Sequence, residues 1–310
     1  MKKEIKNNNI AWVDIRKPNE EDLSGLAKKY HFHPLHLEEC VTPTYRSGIE
    51  EHEEYLFIVF HIPYYSPTLQ TTKSVELDIF VTPDTVITVH KKPVPPVDEL
   101  FNSCQIHDQV REKNFSGEVS YLLYQILTKV LDSYLPKLRH ISEHIDEIED
   151  KIFKGWEKEM VEKISLVRRD IIDFGKVIFP QEEIFRRLIQ IKGQFFRPYD
   201  KKYFYNAYVL YQRARDLLNN NMEMIEALKD TNDSLLTHKL NQLIKVLTII
   251  SAIFLPFTFI TSLYGMNFGK GLPAWASNII SNPMFFSGLV VFFIVAMLIL
   301  FLIFKRKRWL

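Results

Sequence analysis

Asp230, Asp233, Thr237, Asn241, Ile244, Thr248, Ser251, Leu255, Thr258 and Ser262 follow one another at steps of three or four residues. That spacing places them on one stripe of a helix. Eight of the ten are polar, yet the stripe runs into a stretch that carries no charge from Val246 to Tyr264. Within that stretch Ser and Thr stand at 248, 251, 258, 261 and 262, and four of those five fall on the stripe. Hydroxyls gain nothing by facing lipid; they bond to neighbouring helices or line water. Continuation of the stripe through Asn241 and Thr237 to Asp233 and Asp230 favours a hydrated path with an acidic inner mouth. One chain with so few apolar segments cannot enclose a path, so copies must surround it with closed symmetry.

The apolar stretch ends in Tyr264-Gly265-Met266-Asn267-Phe268. Gly265 can adopt a helix-terminating conformation, and Asn267 then follows at the outer end of the stripe. A ring of its side-chain oxygens, hard and neutral, suits a cation that keeps its water shell, as magnesium does. Calcium would want several charged oxygens and zinc would want His or Cys, and the loop that follows offers neither.

These residues need a membrane to act in. Residues 246–264 and 284–304 hold 19 and 21 uncharged residues, respectively. Each is roughly 30 Å long as a helix, the thickness of a bilayer core. Lys305, Arg306, Lys307 and Arg308 follow the second span, Lys and Arg are frequent before the first, and residues 268–283 carry only Lys270. The bias predicts a multi-pass cell-membrane protein with both termini cytoplasmic and a short outer loop. The opening residues, MKKEIKNNNIAWVDI, lack an apolar core of signal-peptide length. Pro256, inside the first span, frees a backbone carbonyl that either serves a pore or accompanies a simple kink.

The remaining chain has to position the spans. Residues 1–115 read as a mixed α/β domain, with β-rich runs at 11–15, 55–61, 75–81 and 85–89. Thr82, Pro83 and Asp84 make a hairpin turn, and Asn19, Glu20, Glu21 and Asp22 open a helix toward Tyr30. Residues 116–197 read as an antiparallel helical region. Leu127, Leu131, Tyr134, Leu138, Ile141, Ile145, Ile148 and Ile152 alternate steps of four and three, with Pro136 expected to kink their helix. Ile164, Val167, Ile171, Phe174 and Ile178 form the facing stripe. Residues 198–245 read as a stalk helix and 246–310 as the membrane part. No Pro or Gly occurs between Pro198 and Pro256, so residues 201–264 are expected to form one helix of roughly 95 Å.

The chain of 310 residues has a net charge of +1, which points to no nucleic-acid partner. Cys40 and Cys104 form no CxxC and fit a reducing compartment. Neither a nucleotide-binding loop nor a catalytic triad pattern is present, so no enzyme activity and no cofactor are expected. His31, His33 and His36 match no metal-ligand spacing and read as surface or turn packing. Glu50, Glu51, Glu53 and Glu54 around His52 read as a solvated helix or loop end. Tyr199, Tyr203, Tyr205, Tyr208 and Tyr211 read as stalk packing.

The Gly-Met-Asn triplet at the outer end of the first of two C-terminal spans, a short loop, a second span and a basic tail together resemble the CorA family of magnesium and cobalt transporters. The stretch KVLTIISAIFLPFTFITSLYGMNF at 245–268 and the pattern WVDIRKP…HPLHLEE…EEYLFIVF are similar to that family. The resemblance implies a funnel-shaped homopentamer: an α+β cytoplasmic domain, then a long stalk helix and two transmembrane helices. Its partners are copies of itself, membrane lipid and divalent cations, with magnesium as both cargo and regulatory ion. By the same resemblance the selectivity ring is Gly265, Met266 and Asn267. Asn241, Thr248, Leu255 and Thr258 line the pore, Ile244 and Leu247 form an apolar constriction, and Asp230 marks the inner mouth. In the family, intracellular magnesium bound between cytoplasmic domains closes the pore. The residues matching that site are Glu39 and, on the stalk, Asn206 where the family usually has Asp. An amide there weakens the charge repulsion that the ion relieves. The loop GKGLPAWAS also lacks the Met-Pro-Glu of many members. The alternatives are zinc as cargo, as in a ZntB-like branch that tends to change the Met retained here as Met266, and a non-conducting membrane scaffold.

Overall fold

The structure, a computed structural model, describes residues 2–7, 9–42, 44, 47–191, 195–265 and 283–306. It comprises two compact units, Met1–Asn232 and Asp233–Leu310.

In the first unit β1 (Lys2–Asn7), β2 (Ile10–Arg16), β3 (Gly48–Glu51), β4 (Leu56–Ser66), β5 (Thr71–Val81) and β6 (Thr85–His90) form one sheet in the order β1-β2-β6-β5-β4-β3. Among the described residues only β2 and β6 pair in parallel. The expected hairpin is β5–β6, closed by Thr82 N–H donating to the Thr85 carbonyl at 2.9 Å. The central strands are buried on both faces, so they read as apolar runs without alternation.

The helices are α1 (Glu20–Tyr30), α2 (Pro34–Glu39), α3 (Pro95–Ile106), α4 (Asp108–Asn114), α5 (Val119–Asp132), α6 (Tyr134–Phe153), α7 (Glu157–Ile178), α8 (Gln181–Gln190), α9 (Lys201–Gly265) and α10 (Pro283–Arg306). On one face of the sheet Leu26, Phe32 and Leu37 close over Val13, Phe57, Phe80, Ile87 and Val89. On the other, Trp12 meets Phe101 edge-on at 4.9 Å and Phe60 meets Phe185 at 6.0 Å. Asn19 starts α1 through a capping box, its Oδ1 accepting Asp22 N–H at 2.7 Å.

Edge strands β1 and β3 went unseen in the sequence because KKEIKN and GIEE are short and polar, with one buried residue each. Glu50 and Glu51 are solvated, as expected, but belong to a strand rather than to a helix or loop end. All eight positions of the four-three repeat are buried. They do not lie on one kinked helix, however. α5 ends at Asp132 and α6 restarts at Tyr134, putting Pro136 in a first turn, where its missing N–H breaks no helical bond. α6 and α7 pack together across a three-residue connection, as expected. Tyr203 packs on Tyr121 and Tyr124, and Tyr211 is fully buried, whereas Tyr199 and Tyr205 are exposed.

α9 is one helix of 65 residues with Pro256 inside it, as the lack of Pro and Gly predicted. The helical stretch Pro198–Phe259, which takes in the preceding turn and most of α9, contains a segment long and apolar enough to cross a membrane, and α10 carries the apolar run Val290–Ile299.

Candidate functional site

The ten stripe residues all lie on α9, Asp230 in the first unit and the other nine in the second. Every one of them is exposed in the single chain, including the apolar Ile244 at 52% and Leu255 at 70%; Leu247 beside them is 64% exposed. The packed face of this part of α9 is a different one. Ile249 is buried, and Ala252, Ile253, Pro256 and Phe257 are half-buried. Phe257 meets Phe293 of α10 with ring centroids 6.5 Å apart. Pro256 thus belongs to the packing face and not to the stripe.

The threonine hydroxyls have a definite polarity. Thr237 Oγ1 donates to the Asp233 carbonyl at 2.8 Å, Thr248 Oγ1 to Ile244 at 2.7 Å and Thr258 Oγ1 to Phe254 at 3.0 Å. Each hydrogen is consumed inside the helix, so the oxygen presents lone pairs outward. A row of acceptors on an uncovered face is complementary to the outward-pointing hydrogens of a hydrated cation. Leu243, Phe254 and Phe259 are also more than 60% exposed, a surface that calls for lipid or another protein copy. Gly265 is the last residue of α9, whereas Met266 and Asn267 lie outside the described residues.

The second group of predicted residues lies in the first unit. Glu39 ends α2 and lines an open cleft of about 960 Å³ together with Glu50, Glu182, Glu183, Arg186 and Arg187. Burial, then the charges of Glu50 and Glu76, push its carboxyl above the ordinary value. Burial acts the same way on Glu76, but hydrogen bonds from His61 and from Thr44 outweigh it and hold that carboxylate below the usual range. Asn206 is exposed near the start of α9 and donates through its amide nitrogen to Tyr124 Oη at 2.7 Å. Glu39 and Asn206 share no hydrogen bond or ion pair among the described residues. Glu76 and Thr44 were missed as neighbours of Glu39, since no spacing in the chain links a residue near 40 to one near 76.

The sequence profile of the family described as CorA-like Mg2+ transporter protein matches residues 7–306. The cobalt/magnesium transport protein CorA of Methanocaldococcus jannaschii is 26% identical, over 97% of this chain and 91% of that one. The protein of the same name from Thermotoga maritima is 27% identical, over 97% of this chain and 83% of its own. The complete structure of the CorA magnesium transporter from Methanocaldococcus jannaschii superposes with a TM-score of 0.80 at 25% identity, covering 99% of this chain and 93% of that one.

Proposed function

The chain belongs to the CorA-like Mg2+ transporter family, and from that premise we propose that copies of it form a ring in the cell membrane, a funnel-shaped homopentamer, that admits magnesium passively through a central pore. The observation that carries this reading is the uncovered row of acceptor oxygens on α9. Turned toward a shared axis, Asn241, Thr248, Ser251, Thr258 and Ser262 hold the water shell of the ion, and Asp230 supplies negative charge at the inner mouth. Gly265, Met266 and Asn267 select the ion at the outer end. Exposed Ile244 and Leu247 form apolar rings that close the path by dewetting when they approach. Both termini are cytoplasmic and two spans cross the lipid. The inside-negative potential drives influx, worth about 4.6 kcal/mol per 100 mV for a divalent ion, twice the unit-charge value.

Regulation follows from Glu39. Its carboxylate is already crowded by Glu50 and Glu76. A divalent ion bound between Glu39 of one subunit and the side-chain oxygen of Asn206 on the next relieves that crowding and tightens the closed ring.

The test is magnesium influx into proteoliposomes holding a magnesium dye under an inside-negative potential, with zinc, cobalt and calcium in parallel. Wild-type influx that disappears in Asn267→Ala, with the ring intact, is the expected result. Influx of zinc alone would change the cargo, and no flux of any ion from an assembled ring would leave a scaffold.

A further inference from the structure

Three donors that the sequence keeps on separate elements meet in the first unit. His36 lies on α2, Glu50 on β3, and His52 follows β3 at the turn into β4. His36 Nε2 is 3.1 Å from Glu50 Oε2, His52 Nε2 is 3.8 Å from the same oxygen, and all three donor atoms fall within 4.8 Å of one another. Tetrahedral zinc with ligands at its usual bond lengths sets donor atoms about 3.3 Å apart. The two carboxylate distances bracket that value, so closing the set needs only a small shift of the turn.

The two imidazoles are held as ligands would be. His36 is buried and stacks on Phe57 at 4.3 Å. Its Nδ1 lies 2.9 Å from Tyr55 Oη, which also accepts the His33 N–H at 3.0 Å. That hydrogen bond occupies Nδ1 and leaves Nε2 aimed at Glu50, the outer-shell pattern of metal-bound histidine. His52 stacks on Tyr55 at 4.9 Å and its backbone N–H donates to the Tyr55 carbonyl at 2.9 Å. Its Nε2 is shut off from solvent and has no hydrogen-bond partner among the described residues. An orphaned ring nitrogen facing a carboxylate is costly unless something binds there.

We propose that His36, Glu50 and His52 form a site for a transition-metal dication, of the zinc, cobalt or nickel class, separate from the magnesium path. Two imidazoles and one carboxylate favour such ions, whereas magnesium and calcium prefer all-oxygen shells. Water completes the coordination. Glu39 stands one turn after His36 on α2, so an ion here ties the helix that carries Glu39 to the β3–β4 hairpin. The chain thereby registers a transition metal in the compartment of its first unit.

The experiment titrates cobalt into the full-length protein in detergent, with millimolar magnesium present throughout, and reads visible ligand-field absorption together with binding heat. Wild type is compared with His52→Gln and Glu50→Gln, both at partly exposed positions, with far-ultraviolet dichroism as the check of folding. Metal bound elsewhere cancels in the difference. The expected result is roughly one additional equivalent per protomer in wild type, weakened by at least about tenfold in each folded variant. Equal binding in wild type and both variants, or displacement of the cobalt by magnesium, overturns the site. Magnesium influx by the same wild-type preparation is recorded separately, so loss of this site leaves the transport reading standing.

Discussion

Thr248→Val tests the ion path at a single oxygen. Thr248 is exposed on the stripe, and its hydroxyl hydrogen goes to the Ile244 carbonyl at 2.7 Å. Valine keeps the β-branch and nearly the volume, so the helix itself is little changed. What disappears is one outward acceptor per subunit. A hydrogen bond to a neutral group is worth about 0.5–1.5 kcal/mol net. A hydrated ion touching two neighbouring subunits at that level loses about 1–3 kcal/mol, which is about 5- to 150-fold in permeation rate. The assay is initial magnesium influx into proteoliposomes at fixed potential, normalised to rings counted by cross-linking. The alternatives have other signatures. A lipid-facing Thr248 gains from the change, leaving influx unaltered and the ring more stable. A Thr248 that bonds a neighbouring helix loses assembly, and influx falls only with the number of rings. Influx within about twofold of wild type from intact rings refutes the reasoning.

The buried pair Asp14–His90 sets a pH window for the first unit. His90 Nδ1 lies 2.7 Å from the Lys92 carbonyl and Nε2 3.2 Å from Asp14 Oδ1, two acceptors that favour the protonated ring. Burial raises Asp14, but hydrogen bonds from His90, Arg16 and Thr88 overcome it and hold the carboxyl low; burial depresses His90, and Asp14 overcomes that and holds it high. The Asp14 contribution is present above about pH 3.9 and lost as pH falls through its lower folded value, while that of His90 is full below about pH 6.5 and lost as pH rises through its raised folded value. Thermal midpoints should therefore decline on the alkaline side and do so less in His90→Gln; identical slopes in the two proteins would remove the assignment. Both thiols are buried, with Cys104 pushed up to about 11 by burial and Cys40 raised as well. Neither should be alkylated at neutral pH in the folded protein and both should be in denaturant, as intact mass reports; rapid labelling of the native chain would contradict the burial.

Much of the helical C-terminal part was legible in the sequence. Two long uncharged stretches, a polar stripe at helical period and the absence of Pro and Gly through the stalk are local properties, and local properties decide helix and solvent. The four-three repeat was equally legible as eight buried positions, yet the break at Ser133 was not, because Pro136 is tolerated both at a kink and in a first turn. Edge strands β1 and β3 were hidden because an edge buries too little to leave a pattern.

The amino-acid sequence by itself determined which residues share a stripe of α9 and that this stripe is polar, since 3.6 residues per turn follow from backbone geometry alone. Only the tertiary structure decided which face of that helix is packed, through Ile249, Pro256 and Phe257, and which is left open. It alone brought His36 to Glu50 and His52, and Glu39 to the neighbourhood of Glu76. Those meetings depend on strand pairing and on how α2 lies against the sheet, and non-local contacts of that kind have no period to read along a chain.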